Sequence, residues 1–364
     1  MKYFAARTKN AQKLIRRNKV SAFLITNPIN ITYLSGFTGS RGFLLITKSK
    51  TILFTDSRYI ERAKYIVPKW IEVQNITKVW RNPTALKESW QKTIKSLRIK
   101  SIGYEGDNLT VKQFEKYKKI TGRLTKTTDI SGEIESLRAI KDTHEIALLR
   151  KSQQINIHTF QLIKKFIQQQ RRKRKPLREI DIAWEIKRKG FELGAEDVSF
   201  DPIVAFGKNS SVPHHKSGTT RLKQNDIILI DMGMKYKGYC SDFTRTILPK
   251  KPTKLQKEIY KTVSQAQQNT LTNLKPGLLE KEVDSLARSV IEDAGFAENF
   301  GHGTGHGVGL KIHEYPSINQ EGTRTIEPGM VLTIEPGIYL PGKFGVRIED
   351  MAVVNKQSVN VLTQ

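Results

Sequence analysis

Short apolar blocks alternate with helical patterns in the first third of the chain. Runs rich in β-branched and aromatic residues predict strands at 20–26, 42–47, 51–55, 71–76 and 101–104. Apolar positions at helical spacing predict helices at 57–65, 84–97 and 111–120. Asn27-Pro28 is predicted to form a turn. Because strands and helices alternate, we predict an α/β layered domain here.

The pattern changes after Ser131. Asp142 followed by Glu145 is typical of a capping box, and it predicts a long helix that runs to about residue 165. Strand-like segments and three further helices follow, at 177–193, 253–274 and 280–294. We therefore predict two domains, residues 1–131 and 132–364, with a mixed α/β (α+β) architecture.

Composition narrows the class of protein. The chain has 364 residues, of which 38% are hydrophobic, which is enough for two cores. Its mean hydropathy is -0.45, and no segment offers the roughly 20 apolar residues of a membrane-spanning helix. No apolar stretch follows the basic N-terminus, so no signal peptide is expected. Cys240 is the only cysteine, which excludes an internal disulfide and favours a reducing compartment, so we expect the cytoplasm.

The charge is unusual. The chain carries 62 Lys and Arg against 35 Asp and Glu, a net charge of +27. Most of these cations are scattered, but residues 171–175 form a continuous basic tract just before Pro176. Such a tract is either the solvated end of a helix or a contact for RNA or an acidic surface. We favour the solvated end, and nucleic acid is not an expected partner.

Two aspartates flank a predicted hairpin. Asp231 ends an apolar run, Asp242 follows a turn at 236–238, and a turn centred between Tyr236 and Lys237 would place the two aspartates opposite each other. Facing residues of an antiparallel pair have Cβ atoms only about 4.5–5.5 Å apart. Two carboxylates at that distance in an apolar strand require a shared proton or a cation between them. The alternative is that one aspartate caps a turn and the other is exposed.

Histidines are concentrated in a glycine-rich segment. His302, His306 and His313 lie within twelve residues and are interleaved with five glycines. Glycine lets the backbone pack closely, so the imidazoles can point towards a common centre. The zinc-helix pattern His-Glu-x-x-His is absent, and the glycine spacing does not fit a dinucleotide-binding loop. We interpret the segment as a source of metal ligands or acid–base groups.

Two further acids lie in apolar strand contexts. Glu335 follows one predicted strand, and Glu349 shares a face with Arg347 on another. Taken alone, Glu349 and Arg347 would form an ordinary ion pair. Together with Asp231, Asp242 and His306, the two glutamates complete an oxygen-rich donor set that favours Mn²⁺, with Co²⁺ or Zn²⁺ as alternatives. Cys240 is interpreted as a small core residue, because no base is aimed at it.

The order of these five residues and their local sequences resemble the pita-bread metallopeptidases, which include methionine aminopeptidases, prolidases and aminopeptidase P. The match covers roughly residues 137–362. The segments at 27–40 and 55–59 resemble the creatinase-type N-terminal domain, which methionine aminopeptidases lack. The resemblance therefore implies an Xaa-Pro peptidase.

The resemblance also assigns roles. It implies that Asp231 chelates one ion of a dinuclear site, that Asp242 and Glu349 bridge both ions, and that His306 and Glu335 bind the other. A hydroxide held between two divalent ions would attack the bond before proline, and Glu335 would take the proton from the water. Further roles are implied at the edge of the site: His214 near the substrate, His302 and His313 in proton transfer and substrate contact, and Arg347 steering the bridging carboxylate.

The expected substrates are peptides with proline at the second position, and the resemblance implies a homodimer. No membrane partner is expected, because no apolar segment is long enough to span a bilayer. The resemblance does not distinguish a dipeptidase from an aminopeptidase that accepts longer peptides. Two other functions fit the sequence less well: a pita-bread binding protein that contacts RNA or protein without catalysis, and a creatinase-type hydrolase. The first is disfavoured because all five ligand positions are filled, and the second because that chemistry does without the metal set.

Overall fold

The structure is a computed structural model that describes residues 2–80, 82–121 and 126–363. The chain divides into two compact units, Met1–Arg138 and Ala139–Gln364. The predicted domain boundary precedes the helix Glu133–Ala139, whose Arg138 donates a hydrogen bond to Asn30 Oδ1 at 2.8 Å. This contact ties the helix to the first unit.

The first unit is a layered α/β domain, as predicted. Its described strands are β1 Ala22–Ile25, β2 Gly42–Thr47, β3 Thr51–Thr55, β4 Glu72–Asn75, β5 Ser101–Tyr104 and β6 Lys126–Asp129, in the spatial order β4-β3-β2-β1-β5-β6. Its helices are α1 Lys2–Arg17, α2 Pro28–Ser35, α3 Ile60–Ile66, α4 Thr77–Trp80, α5 Pro83–Ser96, α6 Val111–Thr121 and α7 Glu133–Ala139. A hydrophobic core that includes Phe43, Phe54 and Trp90 lies against the sheet.

The predicted turn at Asn27-Pro28 is wrong, because these residues begin helix α2. Asn27 Oδ1 accepts a hydrogen bond from the backbone N–H of Ile29 at 3.0 Å. Pro28 occupies the first turn of the helix, where its missing N–H leaves no hydrogen bond unmade. Gly36 ends the helix in the left-handed region, with φ of 74°.

The second unit contains two helical pairs packed on small antiparallel sheets. The helices are α8 Thr143–Arg172, α9 Glu179–Glu192, α10 Lys254–Asn273 and α11 Glu280–Asp293. The described strands are β7 Asp197–Val198, β8 Ile203–Phe206, β9 Ile228–Met232, β10 Met234–Tyr236, β11 Tyr239–Cys240, β12 Phe243–Ile247, β13 Gly305–Gly307, β14 Glu314–Ile318, β15 Val331–Ile334, β16 Gly337–Leu340, β17 Phe344–Arg347, β18 Asp350–Val354 and β19 Val359–Val361. Three of the sheets are ordered β12-β9-β8, β11-β10-β7 and β14-β13-β15-β18-β19, and β16 pairs with β17.

Helix α8 begins with the predicted capping box but runs beyond its predicted end. Asp142 accepts from the N–H of Glu145, and Glu145 accepts from the N–H of Asp142. Ile163 and Ile167 are buried and continue the apolar stripe, so the helix ends only after Arg172. The first two residues of the basic tract, Arg171 and Arg172, therefore belong to the last turn of helix α8.

Along the whole described part of the chain, no helix combines the length and apolar character needed to cross a membrane.

Candidate metal centre

All nine residues predicted for the site line one cavity of about 420 Å³ in the second unit. They are His214, Asp231, Asp242, His302, His306, His313, Glu335, Arg347 and Glu349. Phe200, Ile203, Pro213 and Ile312 add apolar wall to the same cavity.

The hairpin that supplies the two aspartates has a different register from the prediction. Lys237 and Gly238 form its two-residue turn, both with positive φ of 48° and 81°, so Tyr236 pairs with Tyr239. Asp231 consequently lies opposite Thr244 rather than Asp242. Asp242 remains on the same face as Asp231 through the diagonal neighbour relation, which is why both still reach the cavity.

The hairpin is fixed from behind by polar side chains of helix α8. The amide of Gln153 donates to the carbonyl of Asp242 at 3.1 Å, and the amide of Asn156 donates to the carbonyl of Met232 at 2.9 Å. Both helix residues are fully buried. These bonds satisfy backbone carbonyls beside the aspartates and leave the carboxylates directed into the cavity.

His306 presents its Nε2 atom to the carboxylates. Its Nδ1 lies 3.0 Å from the carbonyl oxygen of Gly307, which can only accept, so Nδ1 donates. Nε2 lies 3.6 Å from Asp242 Oδ2 and 3.4 Å from Glu335 Oε1. An imidazole with one nitrogen donating to a backbone carbonyl and the other free is the arrangement typical of a metal-binding histidine.

Glycines permit the close packing that aims His306. A Cβ atom at Gly305 would lie 1.9 Å from the carbonyl oxygen of Thr333, and one at Gly307 would lie 2.1 Å from that of Tyr315. Strand β13 therefore fits between strands β14 and β15 only because the residues on both sides of His306 lack side chains.

The donor set fits a divalent cation. Single ligand atoms of Asp242, His306 and Glu349 all lie within 4.8 Å of one another. Asp231 Oδ1 and Glu349 Oε1 are buried and have no hydrogen-bond partner within the described residues. Buried carboxylate oxygens without partners are costly, and a bound cation would satisfy them.

Burial and mutual repulsion perturb the acids of this cluster. Burial raises the pKa of Asp242 and of Glu349, and the neighbouring carboxylates raise both further. Burial also raises the pKa of Glu335, against the opposing effects of His302 and Arg347. The pKa of His306 is lowered by burial, which favours the neutral form that can bind a metal ion.

Arg347 contacts the cluster through Asp231. Its Nη2 donates to Asp231 Oδ2 at 2.5 Å, and its Nε donates to the hydroxyl of Thr244 at 3.2 Å. The resemblance implied instead that Arg347 steers the bridging carboxylate, assigned to Asp242 and Glu349, and that role stays a prediction.

Tyr339 joins Arg347 to His302, and the sequence reasoning missed it. Arg347 Nη1 donates to the phenol oxygen at 2.7 Å, and His302 Nε2 lies 2.9 Å from the same oxygen. His302 Nδ1 donates to the carbonyl of Gly303 at 2.8 Å, so Nε2 accepts from the phenol. Burial raises the pKa of Tyr339 to about 12, which keeps that proton in place. The turn around Pro341-Gly342 was the available signal, because it predicts a hairpin in which Tyr339 pairs with Gly345 and is a diagonal neighbour of Arg347 on the same face.

The remaining histidines lie at the edge of the cavity, where both are exposed. His313 packs edge-on against His306, with ring centroids 4.4 Å apart. No described residue hydrogen-bonds the His313 ring. His214 lines the same cavity from a different loop, between Pro213 and His215. Cys240 is buried as predicted, and burial raises its pKa to about 11, so it stays a neutral core thiol.

Two family descriptions match the chain. "Metallopeptidase family M24" matches residues 147–356, and "Creatinase/Prolidase N-terminal domain" matches residues 7–140. The chain belongs to metallopeptidase family M24.

Among its relatives, an "Uncharacterized peptidase YqhT" of Bacillus subtilis is 36% identical over 94% of each chain. Among solved structures, an "Xaa-Pro dipeptidase" of Bacillus anthracis has a TM-score of 0.91 at 35% identity and covers 99% of this chain and 98% of its own. An "X-Pro aminopeptidase" of Thermotoga maritima has a TM-score of 0.86 at 34% identity and covers 96% and 97%.

Proposed function

We propose that this M24 metallopeptidase hydrolyses the bond between an N-terminal residue and a following proline, using two divalent metal ions. The observation that carries the proposal is the convergence of four carboxylates and His306 in one cavity, where two buried carboxylate oxygens have no hydrogen-bond partner among the described residues. The similar structures named as an Xaa-Pro dipeptidase and an X-Pro aminopeptidase support the substrate class.

In this proposal Asp231, Asp242, His306, Glu335 and Glu349 hold the metals, which we take to be Mn²⁺ because the donors are mainly oxygen. Divalent ions held by these residues would supply a water of lowered pKa and would polarise the scissile carbonyl. The chain's own groups do the remaining work. Glu335 accepts the proton of the water, because its carboxylate lines the cavity beside His306, with Oε1 3.4 Å from His306 Nε2.

His313 is the better placed of the two candidate histidines to contact the substrate. Both ring nitrogens of His302 are engaged, one by Gly303 and one by Tyr339. His313 is exposed at the cavity edge, so its ring can donate to the developing oxyanion or to the departing proline nitrogen. His302 then acts by holding Tyr339, which also contacts Arg347.

The test is hydrolysis of Ala-Pro and of Ala-Pro-Gly-Gly by the chelator-treated protein, with and without added Mn²⁺. We expect Mn²⁺-dependent release of alanine from at least one of the two peptides and none from Ala-Ala. Cleavage of Ala-Pro alone would indicate a dipeptidase, and cleavage of both an aminopeptidase. Equal activity with and without metal, or none on either peptide, would contradict the proposal.

The homodimer and the cytoplasmic location stay predictions. Size-exclusion chromatography with light scattering measures the first, and fractionation of the source cells measures the second.

A further inference from the structure

A buried glutamate outside the cavity fixes the loop that carries His214. Glu179 is the first residue of helix α9 and has no solvent exposure. Its Oε1 accepts from the backbone N–H of Phe206 at 2.9 Å and from the amide of Asn209 at 2.8 Å. Its Oε2 accepts from His215 Nε2 at 2.9 Å and from the N–H of Gly218 at 3.1 Å. One carboxylate thus bonds to both ends and the middle of segment 206–218.

The other side of the same segment is attached to the active-site strands. Ser210 accepts from the N–H of Gly345 at 2.9 Å, and the carbonyl of Pro213 lies 3.5 Å from Arg347 Nη1. His214 therefore has a fixed neighbour on each side: Pro213 is held towards Arg347, and His215 is held by Glu179. The exposed imidazole between them has little freedom to leave the cavity edge.

We propose that Glu179 and His215 are positioning residues that set the place of His214 at the substrate entrance. The inference rests on the proposed function and deepens it. Neither residue is among those that line the cavity, so their effect on hydrolysis passes through the loop. Four hydrogen bonds to a buried carboxylate make the arrangement stiff, because a charged acceptor forms stronger bonds than a neutral one.

Helix α11, in the same unit, provides a matched control. Glu280 is the first residue of helix α11, is 4% exposed, and accepts from the backbone N–H groups of Ser317 at 2.8 Å and Arg324 at 3.1 Å. The segment that Glu280 holds does not contain His214. Replacing either glutamate by glutamine removes the same charge from the same position of a helix.

The experiment is a double-mutant cycle on kcat/KM for the preferred proline peptide. We expect Glu179→Gln to lower kcat/KM about tenfold in the wild-type background and less than about twofold when His214→Ala is already present, because the two residues act through one contact. Glu280→Gln should lower kcat/KM by the same factor in both backgrounds. An equal loss for Glu179→Gln in both backgrounds would overturn the proposal.

A second measurement does not need activity. In Glu179→Gln, hydrogen exchange should accelerate at the backbone amides of Phe206 and Gly218. In the milder variant His215→Gln, it should accelerate at Gly218. Peptides that contain Ser317 should keep their wild-type exchange rate in both variants. If the glutamate variant does not fold, the His215 variant carries both measurements. Unchanged exchange in segment 206–218 would contradict the positioning role, whereas absence of any proline-peptide hydrolysis in the wild type would contradict only the proposed function.

Discussion

The two halves of the second unit, residues 143–247 and 254–354, are built alike but supply different chemistry. Each starts with a long helix followed by a shorter one whose first residue is a buried glutamate. In each, the residue before that glutamate forms an isolated β-bridge to a later loop, Arg178 with Arg221 and Leu279 with Thr325. Each helical pair has its own hydrophobic core beneath it.

The difference lies in how the halves present donor groups. The first half contributes two aspartates from a hairpin whose backbone is bonded to helix α8. The second contributes His306 from a glycine-rich strand, together with Glu335 and Glu349. The shared framework therefore fixes where side chains can meet, and the side chains decide which atoms meet there.

The largest effect expected is from a donor of the first half. Asp242→Ala should abolish both metal loading and hydrolysis, because it removes a carboxylate whose ligand atom lies within 4.8 Å of those of His306 and Glu349 in the other half. Metal analysis after dialysis, combined with the peptide assay, measures both. Near-normal metal content with full turnover would rule out the proposed dinuclear site.

Substitutions of two adjacent histidines in the second half should separate metal binding from catalysis. His306→Ala should lose metal, whereas His313→Ala should keep it and lose about 10²–10⁴-fold in kcat, the usual contribution of an acid–base group. The two rings are only 4.4 Å apart, so each variant serves as the other's control for general damage. The reverse pattern, with metal lost only in His313→Ala, would exchange the roles of the two histidines.

The segment that carries His313 is fastened differently from the His214 loop. The Lys141 ammonium lies 3.4 Å from Glu314 Oε2, and both side chains are almost completely buried. Lys141→Met should lower the free energy of unfolding by about 3–5 kcal/mol, since it removes one partner of a buried ion pair. Chemical denaturation measures the change. The double variant Lys141→Met/Glu314→Gln should be less destabilised than the single one, and a larger loss would contradict the ion-pair explanation.

The smallest effect is expected from the basic tract. Arg172, Lys173, Arg174 and Lys175 are exposed. The tract begins at Arg171. At 1.5 Å per residue, Arg171 lies about 22 Å along helix α8 from Asn156, the residue that contacts the site hairpin. Replacing the four exposed residues with Gln, or Asn at Arg174, should leave kcat/KM within about twofold of wild type.

A matched control removes the same charge elsewhere, by Lys→Gln at 251, 254, 257 and 261, which are all exposed. The amount of RNA retained should be the same in both variants. The logarithm of the RNA-binding constant should fall with the logarithm of the salt concentration, with a slope of about -0.7 per neutralised phosphate of a single strand. A selective loss of RNA binding in the tract variant would restore the nucleic-acid alternative, and a large loss of turnover would show that the tract shapes the site.

Local patterns predicted much of the fold, and long-range contacts account for what they missed. Strands β2, β3 and β5 were predicted with the bounds observed, because compact apolar runs bounded by turns leave little choice. Helix α1 was missed: its buried face combines the polar residues Arg7 and Thr8 with Ala11, Leu14 and Ile15, so it does not stand out as an apolar stripe in the sequence. The register of the Asp231 hairpin depended on a lysine in the left-handed region, which sequence does not announce.

The same distinction between local patterns and long-range contacts applies to the site. The cavity collects all nine candidate residues. The carboxylates were marked by their apolar context, the clustered histidines by the glycine-rich segment, and His214 by the family resemblance. Tyr339 and Glu179 were not found, because a tyrosine in a strand and a glutamate at the start of a helix are ordinary in isolation. Their significance arises from partners more than a few residues away in sequence, such as His302 and His215.

The glycines around His306 also determine which sequence changes this family member can survive. A saturation-mutagenesis library should return only glycine at 305 and 307, because any side chain would overlap a backbone oxygen that cannot move aside. Gly301, although it belongs to the same glycine-rich run, has open space around the position of its Cβ atom and ordinary backbone angles. Gly301 should therefore accept many residues. We expect sequence variation at this first glycine of the segment and none at the two glycines beside His306.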